Sequence, residues 1–108
     1  MSADRDRLIE LRREFHRHPE PGWREFWTTA RIVSELEFIG VDEIHVGRDA
    51  LADKRYAVPE PAELEPWMER ARDAGADPDL LESMAGGWTG AVAVLERGGR
   101  PTVGLRVD

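Results

Sequence analysis

Residues 15–27, FHRHPEPGWREFW, decide the fold of this chain, because they place two histidines, two prolines and a glycine between two segments with helical spacing. Pro19 disfavours the α conformation at His18 and lacks a backbone N–H, so a helix that arrives here must end. Pro21 and Gly22 then favour a tight turn. The stretch predicts a corner at which two helices meet, and its polar residues are the first candidates for chemistry.

The segments on both sides of this corner have the pattern of amphipathic helices. In the first, from Asp4 to His18, acidic residues occupy the first turn, where the helix dipole favours them. In the second, from Gly22 to Ile39, the apolar face is wide enough to predict packing against a sheet, and Gly40 supplies a left-handed stop. The apolar faces consist of Leu8, Leu11 and Phe15 in the first helix and of Trp23, Phe26, Trp27, Ala30, Ile32, Val33, Leu36 and Ile39 in the second.

A helical insertion is predicted in the middle of the chain. A short strand over 41–46 and a loop over 47–59 precede it. The insertion, about 59–86, contains one helix that opens at Pro59-Glu60-Pro61 and a shorter one that opens at Asp77-Pro78, an N-cap followed by proline.

The last part of the chain has the pattern of a β-hairpin. The apolar run 91–95 predicts a buried strand, Gly98-Gly99 a turn, and residues 101–107 the returning strand. We therefore expect an α/β fold of two N-terminal helices, a helical insertion and a C-terminal β-hairpin, with 1–108 forming a single partial domain.

The composition is that of a globular protein with an acidic balance. The chain has 22 acidic and 15 basic residues and a formal charge of −7, which disfavours nucleic acid as a partner. It contains no cysteine, which excludes disulfides and thiol chemistry within it. No apolar run approaches the about 20 residues that cross a membrane, and the charged N-terminus is unlike a secretory signal. We expect a cytoplasmic protein without nucleic-acid or membrane partners.

His16, His18 and Glu20 are candidates for chemistry within the corner. Two residues apart on a helix, the histidines face nearly opposite directions, so they could share a metal only if the helix unwinds at Arg17. Alternatively, one histidine binds the helix end or the turn and the other is solvated. Glu20 could act as a general acid or base beside His18, or as a turn residue between two prolines. For all three the structural role is favoured, and no catalytic or metal-binding residue is assigned.

Three further features are weighed outside these residues. The aromatic residues from Trp23 to Trp27 could stack on a ligand, but their helical spacing favours core packing. The run 86–90, GGWTG, precedes a strand and lacks the lysine of a phosphate loop, which favours a backbone turn. Asp108 ends the last predicted strand, and open α/β sheets bind their ligands at the carboxyl ends of strands.

Four blocks of the sequence, taken together, resemble the start of a metal-dependent amidohydrolase. They are FHRHPEPGW at 15–23, EFWTT at 25–29, GWTGAVA at 87–93 and GLRVD at 104–108. The family is that of the dinuclear aminoacylase and carboxypeptidase-like enzymes, which includes hippurate hydrolases and auxin-conjugate hydrolases. The similarity runs in order through essentially the whole sequence.

The resemblance implies that this chain is the incomplete first part of a zinc-peptidase-like α/β catalytic domain and that the sequence continues in its native context. It implies a parent enzyme that hydrolyses a small-molecule amide of an acyl or aroyl group and an amino acid, with two divalent metal ions, zinc or manganese. In the family the metal ligands come later in the chain, so no cofactor is expected in these residues. Asp108 would orient a metal ligand or form the pocket wall, and His16, His18 and Glu20 would be a structural signature.

Three hypotheses remain open on the sequence alone. The first is a segment of such an amidohydrolase that is inactive by itself and that exposes apolar surface along the hairpin, so that it forms a homo-oligomer or self-associates. The second is a stand-alone binding or interaction module that kept part of the fold without catalysis. The third is a small metallohydrolase that uses His16, His18 and Asp108.

Overall fold

The chain folds into four helices and a two-stranded antiparallel sheet within residues 2–99 and 102–104, which the computed structural model describes. This confirms the mixed α/β class. None of the helices in those residues combines the length and the apolar content needed to cross a bilayer. In chain order the elements are α1 (Ser2–Arg17), α2 (Phe26–Ile39), β1 (Glu43–Val46), a 3-10 turn (Gly47–Asp49), α3 (Pro61–Asp73), α4 (Pro78–Ser83) and β2 (Ala91–Val94).

Helix α2 begins at Phe26, later than the predicted start at Gly22. The backbone N–H of Arg24 donates to the carbonyl oxygen of Pro21 at 3.0 Å and closes a turn. Trp23, inside this turn, has a left-handed backbone with φ of 62°, which a helix does not accommodate. The apolar periodicity therefore predicts a helix that starts too early in the sequence, because Trp23 belongs to the turn and not to α2.

The core lies between α2 and the helical insertion. Phe26 of α2, Leu81 of α4 and Met84 are fully buried, and Leu64 and Ala71 bring α3 into the same cluster. The prediction that α2 packs against a sheet is thus only partly right. Strands of four residues are too small to cover the wide apolar face of α2, and the insertion supplies most of the covering side chains.

The sheet pairs β1 with β2 in antiparallel register, with Glu43 opposite Val94 and Val46 opposite Ala91. The predicted strand in 91–95 is confirmed as β2, but the prediction that it is buried is wrong for the described structure, because Val92 is 45% and Leu95 54% exposed. The predicted returning strand 101–107 lies largely outside the described residues, and residues 102–104, which are described, are not in a strand.

Two local signals in the sequence are confirmed. The Asp77 carboxylate accepts a hydrogen bond from the backbone N–H of Asp79 at 2.9 Å, so it caps α4 ahead of Pro78. Gly40 ends α2 in the left-handed conformation with φ of 90°.

Helix α1 is attached to α2 largely through charged side chains. The Arg31 guanidinium pairs with Glu14 at 2.9 Å and with Glu35 at 2.8 Å, and Arg7 also pairs with Glu35. The hydrogen bond that Arg31 donates to the Glu14 carboxylate raises the pKa of Arg31 against the opposing effect of burial, and Glu35 adds to the increase. The first helix therefore docks through an ion-pair network as well as through the corner.

Candidate functional site

The ring of His18 lies flat on the indole of Trp27, with 3.9 Å between the centroids and 13° between the planes. Its Nδ1 is 3.0 Å from the carbonyl oxygen of Glu14. Because a carbonyl oxygen only accepts, Nδ1 carries the proton and donates it. Phe15 meets the same indole edge-on at 5.8 Å. His18 thus fastens the last turn of α1 to the start of α2.

His16 and His18 occupy different environments, since His16 is exposed while His18 is half-buried on Trp27. Among residues 2–99 and 102–104, no three acidic or histidine side chains lie close enough to hold a metal ion. The described residues therefore do not fit a metal centre. Asp108 lies outside them, so its assignment beside a metal site, and the metallohydrolase built on His16, His18 and Asp108, stay predictions.

Glu20 caps helix α2. Its carboxylate accepts hydrogen bonds from the backbone N–H groups of Trp27 and Thr28, both at 2.8 Å, and from the Thr28 hydroxyl at 2.7 Å. These three hydrogen bonds engage the carboxylate in a structural role. Glu25, which occupies the N-cap position, makes no such contact.

The space around His18 and Glu20 is a cavity of about 80 Å³, also lined by Trp27, Trp67 and Arg70. Pockets for small-molecule ligands measure about 300–1,000 Å³. The corner therefore has room for little more than solvent, and its geometry is that of a joint between helices.

A second group of residues surrounds Trp23, the last residue of the Pro21-Gly22-Trp23 sequence in the turn before α2. The Arg55 guanidinium carbon is 3.5 Å from the Trp88 ring centroid and 5.2 Å from that of Trp23. Arg48 approaches the same Trp88 ring at 4.5 Å. We call Trp23, Arg48, Arg55 and Trp88 the arginine–tryptophan cluster. It joins three separate parts of the sequence, the turn before α2, the loop after β1 and the GGWTG run.

The backbone around the cluster is closely fitted. The Trp23 indole N–H donates to the carbonyl oxygen of Tyr56 at 2.7 Å. Gly87 has φ of 85°, and a Cβ there would lie 3.1 Å from the carbonyl oxygen of Trp23. The GGWTG run is thus a backbone turn, and its glycine allows this close approach.

The positive charge of Arg55 is partly shielded from solvent. Burial lowers the pKa of Arg55, and the positive charge of Arg48 lowers it further. Within the described residues neither arginine forms an ion pair with a carboxylate. Two adjacent guanidinium groups in an otherwise acidic chain can attract an anion.

The sequence interpretation missed this cluster. It treated 47–59 as a connecting loop and placed Trp23 in a helix core. The available signal was the pair Arg48 and Arg55 in a loop that follows a strand, since binding residues concentrate in such loops. Their spacing alone gave no reason to expect that both would reach Trp88, which is distant in the sequence.

Comparisons with known proteins give a consistent result. The chain is 39% identical over 103 residues to an indole-3-acetyl-aspartic acid hydrolase of Enterobacter agglomerans. Two further relatives are each named as one subunit of p-aminobenzoyl-glutamate hydrolase: a homolog in Haemophilus influenzae, 38% identical over 110 residues, and the Escherichia coli protein, 36% identical over 104 residues. These three matches cover 94%, 100% and 94% of this chain but 23%, 26% and 24% of the relatives. No protein-family model matches the chain.

A solved structure agrees with the sequence matches. The aminobenzoyl-glutamate utilization protein of Klebsiella pneumoniae superposes with a TM-score of 0.74 at 37% identity, over 82% of this chain and 22% of that protein. The chain thus spans about a quarter of the length of the proteins it matches. The resemblance seen in the four sequence blocks is confirmed, and by sequence and fold the chain is homologous to a segment of these aminobenzoyl-glutamate hydrolase proteins.

Proposed function

We propose that this chain is part of a hydrolase that cleaves the amide between an aromatic acyl group and an acidic amino acid. One observation supports this above the others. Relatives that match nearly the whole chain at 36–39% identity are named for indole-3-acetyl-aspartate and for p-aminobenzoyl-glutamate. Both compounds join an aromatic acyl group to an amino acid with two carboxylates.

In this proposal the described residues contribute architecture and substrate contacts, while the bond is broken elsewhere in a longer protein. Two divalent metal ions, zinc or manganese, would polarise the amide carbonyl and supply an activated water there. The described residues hold no set of ligands for such ions. Residues 1–108 are accordingly proposed to be inactive alone. Asp108 would lie near the metal site of the longer protein. The catalytic domain would be zinc-peptidase-like and the protein cytoplasmic.

The names of two relatives mark them as one component of a multi-subunit enzyme. We extend this to the proposal that the hydrolase assembles with a second, different polypeptide.

A binding module without catalysis is the second candidate function. It is favoured by the core around Phe26, Leu81 and Met84, because these three side chains are fully buried within the described residues alone.

The deciding experiment compares the 108-residue chain with the longest open reading frame that contains it. Both are assayed for release of glutamate from p-aminobenzoyl-glutamate, with metal analysis before and after chelation. We expect activity and about two bound metal ions only in the longer product, with activity lost on chelation and restored by zinc or manganese. A reading frame that stops after Asp108, giving a folded protein without hydrolysis, would instead support the binding module.

A further inference from the structure

The arginine–tryptophan cluster has the construction of an anion-binding site. The Arg55 guanidinium carbon lies 3.5 Å from the Trp88 ring centroid, close enough for the planar group to stack on the ring. A guanidinium stacked by its face keeps its in-plane N–H groups directed outward. Those groups have the geometry that binds a carboxylate through two parallel hydrogen bonds.

Most donors of the two arginines have no acceptor among the described residues. Each guanidinium has five N–H groups. Arg55 uses one for the carbonyl oxygen of Gly86 at 3.3 Å, and Arg48 has no hydrogen-bond partner within residues 2–99 and 102–104. Arg48 is exposed and Arg55 is half-buried. Both side chains are therefore accessible to a dissolved ligand.

The cluster places two positive charges together in an acidic chain. Acidic residues outnumber basic ones by 22 to 15, and the arginines between α1 and α2 are paired with carboxylates. Arg48 and Arg55 are held beside one another without such a partner in the described structure. An anion that bridges them would offset both the mutual repulsion and the cost of partial burial.

The cluster is also held in place before any ligand arrives. Two non-glycine residues have left-handed backbone in the described structure: Trp23 of the cluster, with φ of 62°, and Ala57, which follows Arg55 closely in the sequence, with φ of 56°. Such conformations persist only where the surroundings impose them, and they concentrate at binding sites. Here the hydrogen bond from the Trp23 indole to Tyr56 joins the two strained segments.

We propose that Arg48 and Arg55, supported by Trp88 and Trp23, bind a carboxylate of an acidic amino acid. The choice of carboxylate over other anions rests on the proposed function, since aspartate and glutamate amides share this group. The site would thereby select for the amino-acid part of the substrate, and the indole rings would exclude water around the ion pair.

The test uses N-acetyl-L-glutamate as the probe, titrated into the 108-residue chain by calorimetry, with tryptophan fluorescence as a second readout. The matched ligand control is its neutral diamide, and inorganic phosphate is the competing anion. The variants are Arg48→Gln, Arg55→Gln and Arg55→Lys. Arg72→Gln is the matched control, since Arg72 is an exposed arginine of α3 that pairs only with Glu69 among the described residues.

We expect saturable binding of N-acetyl-L-glutamate and none of the diamide. Because a hydrogen bond to a charged group contributes about 1.5–3 kcal/mol, each Gln variant should weaken binding by at least about tenfold. Arg55→Lys should also weaken it, because an ammonium cannot form the paired hydrogen bonds. Arg72→Gln should bind like the parent chain.

Three results would overturn the proposal: no saturable binding by the parent chain, equal weakening in Arg72→Gln, or tighter binding of phosphate than of the carboxylate probe. Arg48 is exposed, so Arg48→Gln reports on the site even if Arg55→Gln fails to fold, which circular dichroism checks. The hydrolysis assay above is independent of this test. If the probe binds but the longer product does not hydrolyse p-aminobenzoyl-glutamate, the carboxylate site is supported and the proposed function is overturned. If the longer product hydrolyses this substrate but the probe does not bind, the proposed function is supported and the carboxylate site is overturned.

Discussion

The Thr89 hydroxyl donates a hydrogen bond of 2.9 Å to the Glu25 carboxylate, across 64 positions of the sequence. Thr89 is only 6% exposed and belongs to the GGWTG run that leads into β2, while Glu25 directly precedes α2. The bond therefore joins the first structural corner to the sheet. The Glu25 carboxylate is engaged with Thr89, and the start of α2 is capped by Glu20 instead.

Replacing Thr89 with valine should destabilise the fold while preserving its shape. The change leaves a partly buried carboxylate without its donor, which costs about 1–3 kcal/mol. Urea denaturation followed by circular dichroism measures the loss. Thr102→Val is the control, because Thr102 is exposed, and it should stay within about 0.5 kcal/mol of the parent. Equal stability of the two variants would show that the long-range bond contributes nothing.

Removing the Glu20 carboxylate should weaken helix α2 at its start. Glu20→Ala leaves two backbone N–H groups and the Thr28 hydroxyl without their acceptor, and loss of a cap costs about 0.5–2 kcal/mol. Glu20→Gln should cost less, since its amide oxygen can still accept. Both are compared by urea denaturation with Glu65→Gln on α3, an exposed glutamate. An alanine variant as stable as the Glu65 control contradicts the capping role.

Gly47→Ala should be much more damaging than Gly40→Ala. Both glycines have left-handed backbone, with φ of 70° and 90°, so both substitutions carry a conformational cost of roughly 1 kcal/mol. A Cβ at Gly47 would also collide with the backbone carbonyl of Ser83, whereas the space at Gly40 is open. We expect an additional loss of about 1–3 kcal/mol at Gly47. Thermal melts of the pair isolate this steric effect, and equal melting temperatures would refute it.

Stability should fall at acidic pH through Glu35. Although burial raises its pKa, the hydrogen bond from Arg31 and the charges of Arg7 and Arg31 outweigh this and hold the pKa below the ordinary 4.5. A carboxyl group with a lowered pKa in the folded state stabilises the protein above its unfolded pKa. That contribution is lost as the pH falls through the folded pKa.

The measurement for Glu35 is the urea midpoint at about pH 7 and about pH 3. Glu35→Gln should lower the midpoint at neutral pH and show a smaller decrease on acidification. Glu37→Gln, on the same helix and exposed, should retain the full decrease. If Glu35→Gln showed the same decrease of the urea midpoint on acidification as the parent chain, the Glu35 carboxylate would be excluded as the source of that decrease.

The sequence predicted those parts of the fold that depend on local rules. Prolines set the corner and Gly40 sets the stop of α2, because each acts through the conformation of its own backbone. Asp77 caps α4 through a hydrogen bond to a backbone N–H only two residues away, which is also a local rule. The placement of α2 against the insertion depended on which apolar surfaces meet, and periodicity carries no such information. The capping role of Glu20 could be predicted only with the correct start of α2. The helix starts at Phe26 and not at Gly22, because Trp23 has a left-handed backbone.

The candidate site was less predictable than the fold. Arg48, Arg55 and Trp88 meet only because the antiparallel pairing of β1 with β2 brings the loop after one strand beside the residues before the other. Nothing in a single sequence specifies that pairing. The homology was visible because it depends on the order of short blocks, which is a property of the sequence itself.

The attachment of α1 by charged side chains gives ionic strength a specific effect on this protein. Electrostatic attraction between surface groups extends over about 10 Å at 0.1 M salt and about 3 Å at 1 M. The buried contacts of Phe26, Leu81 and Met84 do not share this sensitivity. Concentrated salt should therefore detach α1 from α2 while the core stays folded. Release of α1 and unfolding of the whole chain should then occur as two separate transitions.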